Sequence, residues 1–198
     1  AINSIQLYLE KSKDVIATRR FFSKKWISNI IRFFNFANNF YKIENGNKDI
    51  LIVASGPSLK NSISKIKENR KNFFIICLSS ATKVLIHNEI IPDVILTTDG
   101  GYWAKKHLQF LENSNYEVPI ICSAESSLSF NLLKNSPIIP LEYPDCTNKY
   151  FFNKFNLFSI KTNRNGTVSG NALEIAKQLT TSNIYFVGLD LATTNSYQ

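Results

Sequence analysis

Methionine is absent from these 198 residues, histidine occurs twice and cysteine three times. With no initiating Met and an abrupt stop at Gln198, the chain is expected to be an excerpt of a longer polypeptide, truncated at its C-terminus. The cysteines Cys77, Cys122 and Cys146 are odd in number and lack any CxxC spacing, which argues against a disulfide framework or a zinc site. Cys77 and Cys122 lie inside apolar runs, where a thiol behaves as a small buried hydrophobe, so a reducing compartment is expected. His87 and His107 sit in helix-like segments with no Cys, Asp or Glu at metal spacing, and both read as surface or packing residues. No Ser-His-Asp order and no G-x-S-x-G elbow is present, which removes the common hydrolase signatures. No stretch is apolar for the ~20 residues a membrane-spanning helix needs. Residues 26–41 come nearest, but Asn29, Arg32, Asn35, Asn38 and Asn39 interrupt them. There is no secretory h-region at the start, so a cytoplasmic protein is expected.

What the sequence does hold is an ordinary globular composition: 44% hydrophobic and 19% charged residues, enough for a core without staples. The net charge of +8 is unevenly placed. Residues 1–50 carry nine Lys or Arg against four acids, so five of the eight excess charges lie there. Such a segment can meet nucleic acid, an anionic membrane or an acidic partner, or simply form a solvated helix face. The aromatics follow the core period and do not read as base-stacking platforms, so no nucleic-acid partner is expected. Oligomeric state is left open.

The first forty-odd residues read as helix, with Ile5, Leu9, Ile16, Phe22, Trp26, Ile30 and others at roughly helical spacing between Lys and Arg. Asn45-Gly46-Asn47 is a turn signal, and it divides a helical segment, 1–46, from a second unit, 47–198. From there short apolar runs alternate with helical ones. Strands are predicted at 50–54, 73–78, 94–97, 119–122, 137–141 and 183–187. Continuous rather than alternating apolar runs mark strands buried on both faces. Segments such as 59–69 and 168–179 are long enough for crossover helices. The expected architecture is α/β: a Rossmann-like, open, mostly parallel sheet with helices on both faces. Residues 143–161, rich in Asn and Phe, yield no assignment.

In such a sheet, ligands gather at the carboxyl ends of the strands. After the first strand comes Ser55-Gly56-Pro57-Ser58-Leu59. Gly56 allows a ligand close to the backbone, Pro57 suits a first helical turn, and Ser55 and Ser58 offer hydroxyls. The following helix start favours an anion, so the loop is a candidate phosphate cradle. An ordinary turn with a Ser cap is the competing reading. The loop has neither the Lys of a Walker A motif nor the three-glycine dinucleotide spacing. Asp93, before the third strand, is expected to be structural. Asp99, just after it and beside Gly100-Gly101, could hold Mg²⁺ or a ribose hydroxyl, or cap the helix beginning near Tyr102. A third loop, Arg164 to Asn171, supplies Gly166, Thr167, Ser169 and Gly170 at another anion-ready helix start, and Arg164 could grip a phosphate. Asp190, after the last strand, repeats the placement of Asp99.

Taken in order, the G-P-S-L loop, P-D-V-I-x-x-x-D, the G-x-V-S-G-N-A-L-x-x-A helix start and V-G-x-D-L-A resemble one family. It is the hydroxymethylpterin diphosphokinase-like (MptE-like) domain, found also in bacterial motility accessory factors (Maf). The likeness runs from about Ile50 to Thr194, and the Arg19-Arg20-Phe21-Phe22 helix looks more like the motility-factor branch. The resemblance implies a Rossmann-like transferase with a nucleotide donor. In the motility branch that means a glycosyltransferase moving a nonulosonic acid from a CMP-sugar to flagellin. In the archaeal branch it means a diphosphokinase using ATP and Mg²⁺ on a pterin alcohol. The G-P-S-L loop is also similar to that of bacterial sialyltransferases. Carried over by position, Gly56, Pro57 and Ser58 would meet phosphates, Asp99 would take metal or ribose, and Gly166, Ser169 and Asp190 would complete the cleft. Asp99 and Asp190 are the expected catalytic pair. Ser55 stands where the family often has Gly, and a His that usually follows the last motif is missing. A non-catalytic nucleotide-binding or scaffold module, docking a partner through its basic helix, is the third reading.

Overall fold

The six apolar runs and one further two-residue segment form seven strands, and they are parallel throughout because successive strands are joined by crossovers rather than hairpins. The computed structural model describes residues 2–144 and 148–192. Cys146 and the end of the stretch of family likeness, Thr193-Thr194, lie outside the described residues. The strands are β1 (Asp49–Val53), β2 (Phe73–Leu78), β3 (Val94–Thr97), β4 (Ile120–Ser123), β5 (Ile138–Glu142), β6 (Ile160–Lys161) and β7 (Ile184–Val187). The helices are α1 (Ile2–Phe36), α2 (Leu59–Glu68), α3 (Ser79–His87), α4 (Tyr102–Leu108), α5 (Phe130–Asn135), α6 (Asn148–Lys154) and α7 (Val168–Leu179). The expected Rossmann-like α/β sheet is present, preceded by the expected helix. The unassigned segment 143–161 holds α6 and the two-residue strand β6.

Strand order is β6-β5-β4-β3-β2-β1-β7. The chain steps outward one strand at a time from β1 to β6. Then α7 carries it back across the sheet, and β7 pairs with β1 on the other side. Side chains alternate between the two faces, as the pleat requires. Ile50, Ile52, Ile76, Val94, Leu96, Ile121 and Ile139 face α7, meeting its Ala172, Ile175, Ala176 and Leu179. On the other face Leu51, Val53, Ile75 and Cys77 meet α2 and α3, while Ile95, Ile120 and Cys122 meet α5 and the end of α1. Full burial of each such aliphatic side chain contributes about 1.5–3 kcal/mol.

The far half of α1 is held by aromatic packing. Phe33, 2% exposed, meets the Phe152 ring edge-on at 6.1 Å, and Phe34 lies 5.4 Å from the same ring. After α1 the chain crosses the amino ends of the strands, bridging Ile138 through Phe40 and Thr180 through Gly46. Asp93 has the structural role expected of it. Its carboxylate accepts from the Ile75 amide at 2.7 Å and pairs with Arg70 at 2.9 Å. His87 and His107 lie on α3 and α4, as expected of helical residues. Among the described residues, no helix is long and apolar enough to cross a membrane, and no group of three or more His, Cys, Asp or Glu is placed to hold a metal ion.

Candidate functional site

The strand order reverses between β1 and β7, and loops leaving adjacent strands at such a point diverge to open a crevice. Here the two loops stay in close contact at its head. The Gly56 amide donates to Gly188 O at 2.7 Å, and the Ala54 amide donates to Val187 O at 2.8 Å. Side chains are excluded at this crossing. A Cβ on Gly56 would come within 2.5 Å of Gly188 O and 2.6 Å of Asp190 Oδ2. Gly188 has φ +70°, and a Cβ there would meet Ala54 O at 2.1 Å. The sequence needs glycine at both places because two backbones share the space.

The crossing sets Asp190 on the start of α2. Its Oδ2 accepts from the Ser58 amide at 2.6 Å and its Oδ1 accepts from the Ser58 hydroxyl at 2.5 Å. Ser58 therefore does not cap the helix with its side chain; the hydroxyl is turned toward Asp190. The hydroxyl bond first, then the amide bond, holds the Asp190 carboxyl below its usual value, against a weaker opposing effect of desolvation. The exposed amide at the helix start adds to the preference for negative charge. The carboxylate thus sits where an anionic ligand of this loop would sit. Ser55 turns the other way and donates to Ser80 Oγ at 2.9 Å, tying the loop to α3. Ser55, Gly56, Pro57, Ser58 and Asp190 together line an open cleft of about 1160 Å³, continued by Lys60 and Ser64 on α2 and Asn88 beyond α3.

Asp99 stands elsewhere, at the end of β3, with β2 between it and β1. Its Oδ1 accepts from the Gly101 amide at 2.8 Å, a local turn just before α4, whose N-cap Gly101 has no side-chain cap. It lines a separate concavity of about 130 Å³ with Trp26, Glu125 and Arg164. The Arg164 guanidinium donates to both Glu125 oxygens, at 2.9 and 2.7 Å, and stacks 4.3 Å from the Tyr143 ring centroid.

The third loop lines neither space with its glycines. Thr167 caps α7 by accepting from the Gly170 amide at 3.1 Å, and Ser169 donates to Thr167 Oγ1 at 3.2 Å. Gly166 lies at φ +72°, with nothing within 4 Å of a Cβ. Glu174 and Asn171, on α7, hold this loop in shape. Glu174 accepts from the Asn163 amide and from the Asn163 and Asn165 side chains, while Asn171 donates to Asn163 O at 2.7 Å. That bracing fixes the backbone of Arg164, the residue of this loop that reaches the Asp99 concavity.

Sequence reasoning missed Trp26, Asn29 and Glu125. Glu125 had the signal already applied to Asp99, a carboxylate just past a strand end, here β4. Asn29 is a polar residue in an apolar row of α1, and it is 8% exposed. Its Nδ2 donates to Glu125 O at 2.8 Å and Gly100 O at 3.3 Å. No rule of local pattern would have brought α1 to these two loops.

Comparison with known proteins bears on the fold and the family. A Maf glycosyltransferase from Magnetospirillum magneticum AMB-1 superposes with a TM-score of 0.67 at 21% identity, over 88% of this chain and 28% of that one, a likeness of fold. An uncharacterised protein of Treponema pallidum (strain Nichols) is 31% identical over 183 residues, 92% of this chain. The chain spans 40% of that relative's length. With residues 24–196 matched, the chain belongs to the 6-hydroxymethylpterin diphosphokinase MptE-like family.

Proposed function

We propose that the chain is the nucleotide-binding part of a nucleotide-sugar-dependent glycosyltransferase of the motility accessory factor type, with the donor's phosphate at the β1–α2 loop. The observation that carries this reading is the Ser58–Asp190 contact at the head of the large cleft. An amide and a hydroxyl there already bind two oxygens of an anion, and the geometry suits a phosphate in place of the carboxylate. The fold shared with the Maf glycosyltransferase supports the same reading. In the reaction, the acceptor hydroxyl oxygen bonds to the sugar as the sugar–phosphate bond breaks, CMP leaves with the bonding electrons, and the hydroxyl proton passes to solvent. The Ser58 donors then stabilise the charge left on the phosphate. For a motility factor the sugar would be a nonulosonic acid and the acceptor flagellin Ser or Thr. The cytoplasm is the compartment where such a donor would be met.

Mg²⁺ is compatible with these residues. It is commonly held by one or two carboxylates together with substrate phosphates, and Asp190, or Asp99 in its own concavity, supplies one. Asp190 released from Ser58 would then balance the charge of metal and phosphate. The family's description favours a second reading, an ATP- and Mg²⁺-dependent diphosphokinase acting on a pterin alcohol through the same loop.

Thermal stability of the purified full-length protein with CMP, CDP, ATP or AMP, each with and without Mg²⁺, tests both. A ligand at a hundred times its Kd stabilises by about 2.7 kcal/mol. Stabilisation by the cytidine nucleotides, lost in Ser58→Ala, is the expected result. Response to ATP with Mg²⁺ alone would move the assignment to diphosphate transfer. Silence from all four would leave a non-catalytic scaffold whose basic helix α1 docks a partner.

A further inference from the structure

Helix α1 is anchored along one side. Asn29 is held there by its bonds to Gly100 O and Glu125 O, and Phe33 by its contact with the Phe152 ring. On the opposite side Ile16, Arg20, Lys24, Ile27 and Ile31 recur at steps of three or four residues and form a single stripe. Ile16 is 65% exposed, and Ile27 and Ile31 are each 56% exposed. An ordinary solvated face would be polar throughout; this one sets isoleucines among cations. The stripe continues beyond the helix. Phe34, on the same side as Ile27 and Ile31, places its ring 5.0 Å from Phe151 and 5.8 Å from Phe155, both on α6. Phe155 is exposed, and so is Tyr150, whose ring carries the Lys154 ammonium at 6.0 Å. Charge has one sign across both segments. Residues 15–43 hold six Lys or Arg and no Asp or Glu, and residues 148–161 hold three Lys and no acid.

We propose that this face of α1 and α6 docks on the surface of an anionic lipid bilayer, lying on it without spanning it. A nucleic acid would pair the cations but leave the isoleucines in water. An apolar groove on a partner would take the isoleucines but strand the cations. The boundary between head groups and acyl chains accepts both at once. Isoleucines and rings enter the acyl edge, while Lys and Arg stems lie along it and carry their charge out to the lipid phosphates. The cations also surround the apolar side chains instead of following one register, which suits a fluid sheet of phosphates better than the fixed acids of a single protein. Tyr150 adds an amphipathic ring of the kind that settles at such a boundary. The stripe shares no residue with the cleft lined by Ser58 and Asp190, so this docking stands apart from the donor proposed above.

Flotation of the full-length protein with lipid vesicles provides the test, using phosphatidylcholine alone and phosphatidylcholine mixed equally with phosphatidylglycerol. The mixed vesicles are expected to bind at least about tenfold tighter, and more weakly as salt is raised. Each cation at an anionic surface is worth about fivefold in affinity, so Arg20→Glu with Lys24→Glu should weaken binding about twentyfold or more. Lys149→Glu with Lys154→Glu should act in the same direction, which covers the case in which the first pair disturbs α1. Ile31→Trp reads the apolar half: its emission, taken as the difference from wild type, should shift to the blue on adding mixed vesicles. Equal binding to the two vesicle types, or binding that survives both charge reversals, would overturn the proposal. So would binding with no blue shift, which is adsorption by charge alone. A wild-type protein that ignores both vesicles would overturn it too, and would leave an acidic protein or another part of the same polypeptide as the occupant.

Discussion

Replacing Gly188 with alanine would attack the point where the β1 and β7 loops cross, and its cost divides into two parts. The backbone there has φ +70°, a conformation that costs a residue with a side chain about 1–2 kcal/mol. The new Cβ would also lie 2.1 Å from Ala54 O and 2.8 Å from Ala54 C. Both obstacles are main chain, so no rotamer change relieves them and the two strand ends must part. That removes the Ala54–Val187 and Gly56–Gly188 hydrogen bonds, each contributing about 0.5–1.5 kcal/mol. The sum is a loss of about 2–5 kcal/mol. Two other glycines separate the parts. Gly166 shares the conformation, at φ +72°, but has nothing within 4 Å of a Cβ, so Gly166→Ala should lose only the first part, about 1–2 kcal/mol. Gly46 has neither constraint, and Gly46→Ala should be neutral or stabilising by up to ~1 kcal/mol. Urea unfolding of the three variants beside the wild type gives the ranking directly. A Gly188→Ala protein no less stable than Gly166→Ala would refute the claim that two backbones meet there without room for a side chain.

Burial pushes the Cys77 and Cys122 thiols up to about 12, so a Cys146→Ser protein at pH 8 should react with a thiol reagent only as fast as it unfolds; labelling within seconds in native buffer would contradict their placement. The Ser58 bonds lower the Asp190 carboxyl from its ordinary 3.8, so the contact stabilises the fold above that pH and loses its effect as pH falls below it. The difference in Tm between wild type and Asp190→Asn should therefore be present at pH 7 and shrink below about pH 4, and a difference constant down to pH 3 would show the contact is not made.

The sheet was legible where burial on both faces left a continuous apolar run, as in Phe73–Leu78, which reads the same from sequence and structure. It was illegible at β6, where Ile160–Lys161 is too short for any period and only Ile160 is buried. The residues at the ends of β1, β3 and β7 were legible singly, because carboxylates and glycines past strand ends are few. Their pairing was not. Ser58 and Asp190 meet through strand order, and nothing in the local pattern of either residue indicates that β7 returns beside β1. For the same reason Asp99 could not be separated from the cleft in advance. Only the docking of α1 shows that Trp26 and Arg164 enclose it in a space of its own.

The return of the chain by α7 also fixes when the site can exist. Ser58 and Asp190 are 132 positions apart, and the strand that delivers Asp190 is the last of the seven to be made. Loops that close over so long a stretch of chain form slowly, after the local strand–helix units are in place. At a synthesis rate of about 5–20 residues per second, the Ser-Gly-Pro-Ser loop leaves the ribosome well before its partner does. A nascent chain that has reached only α7 would carry six strands and a helix start with no carboxylate upon it. The Ser58–Asp190 contact is thus a record of completed folding: a product of this chain that stops short of Asp190 cannot present it.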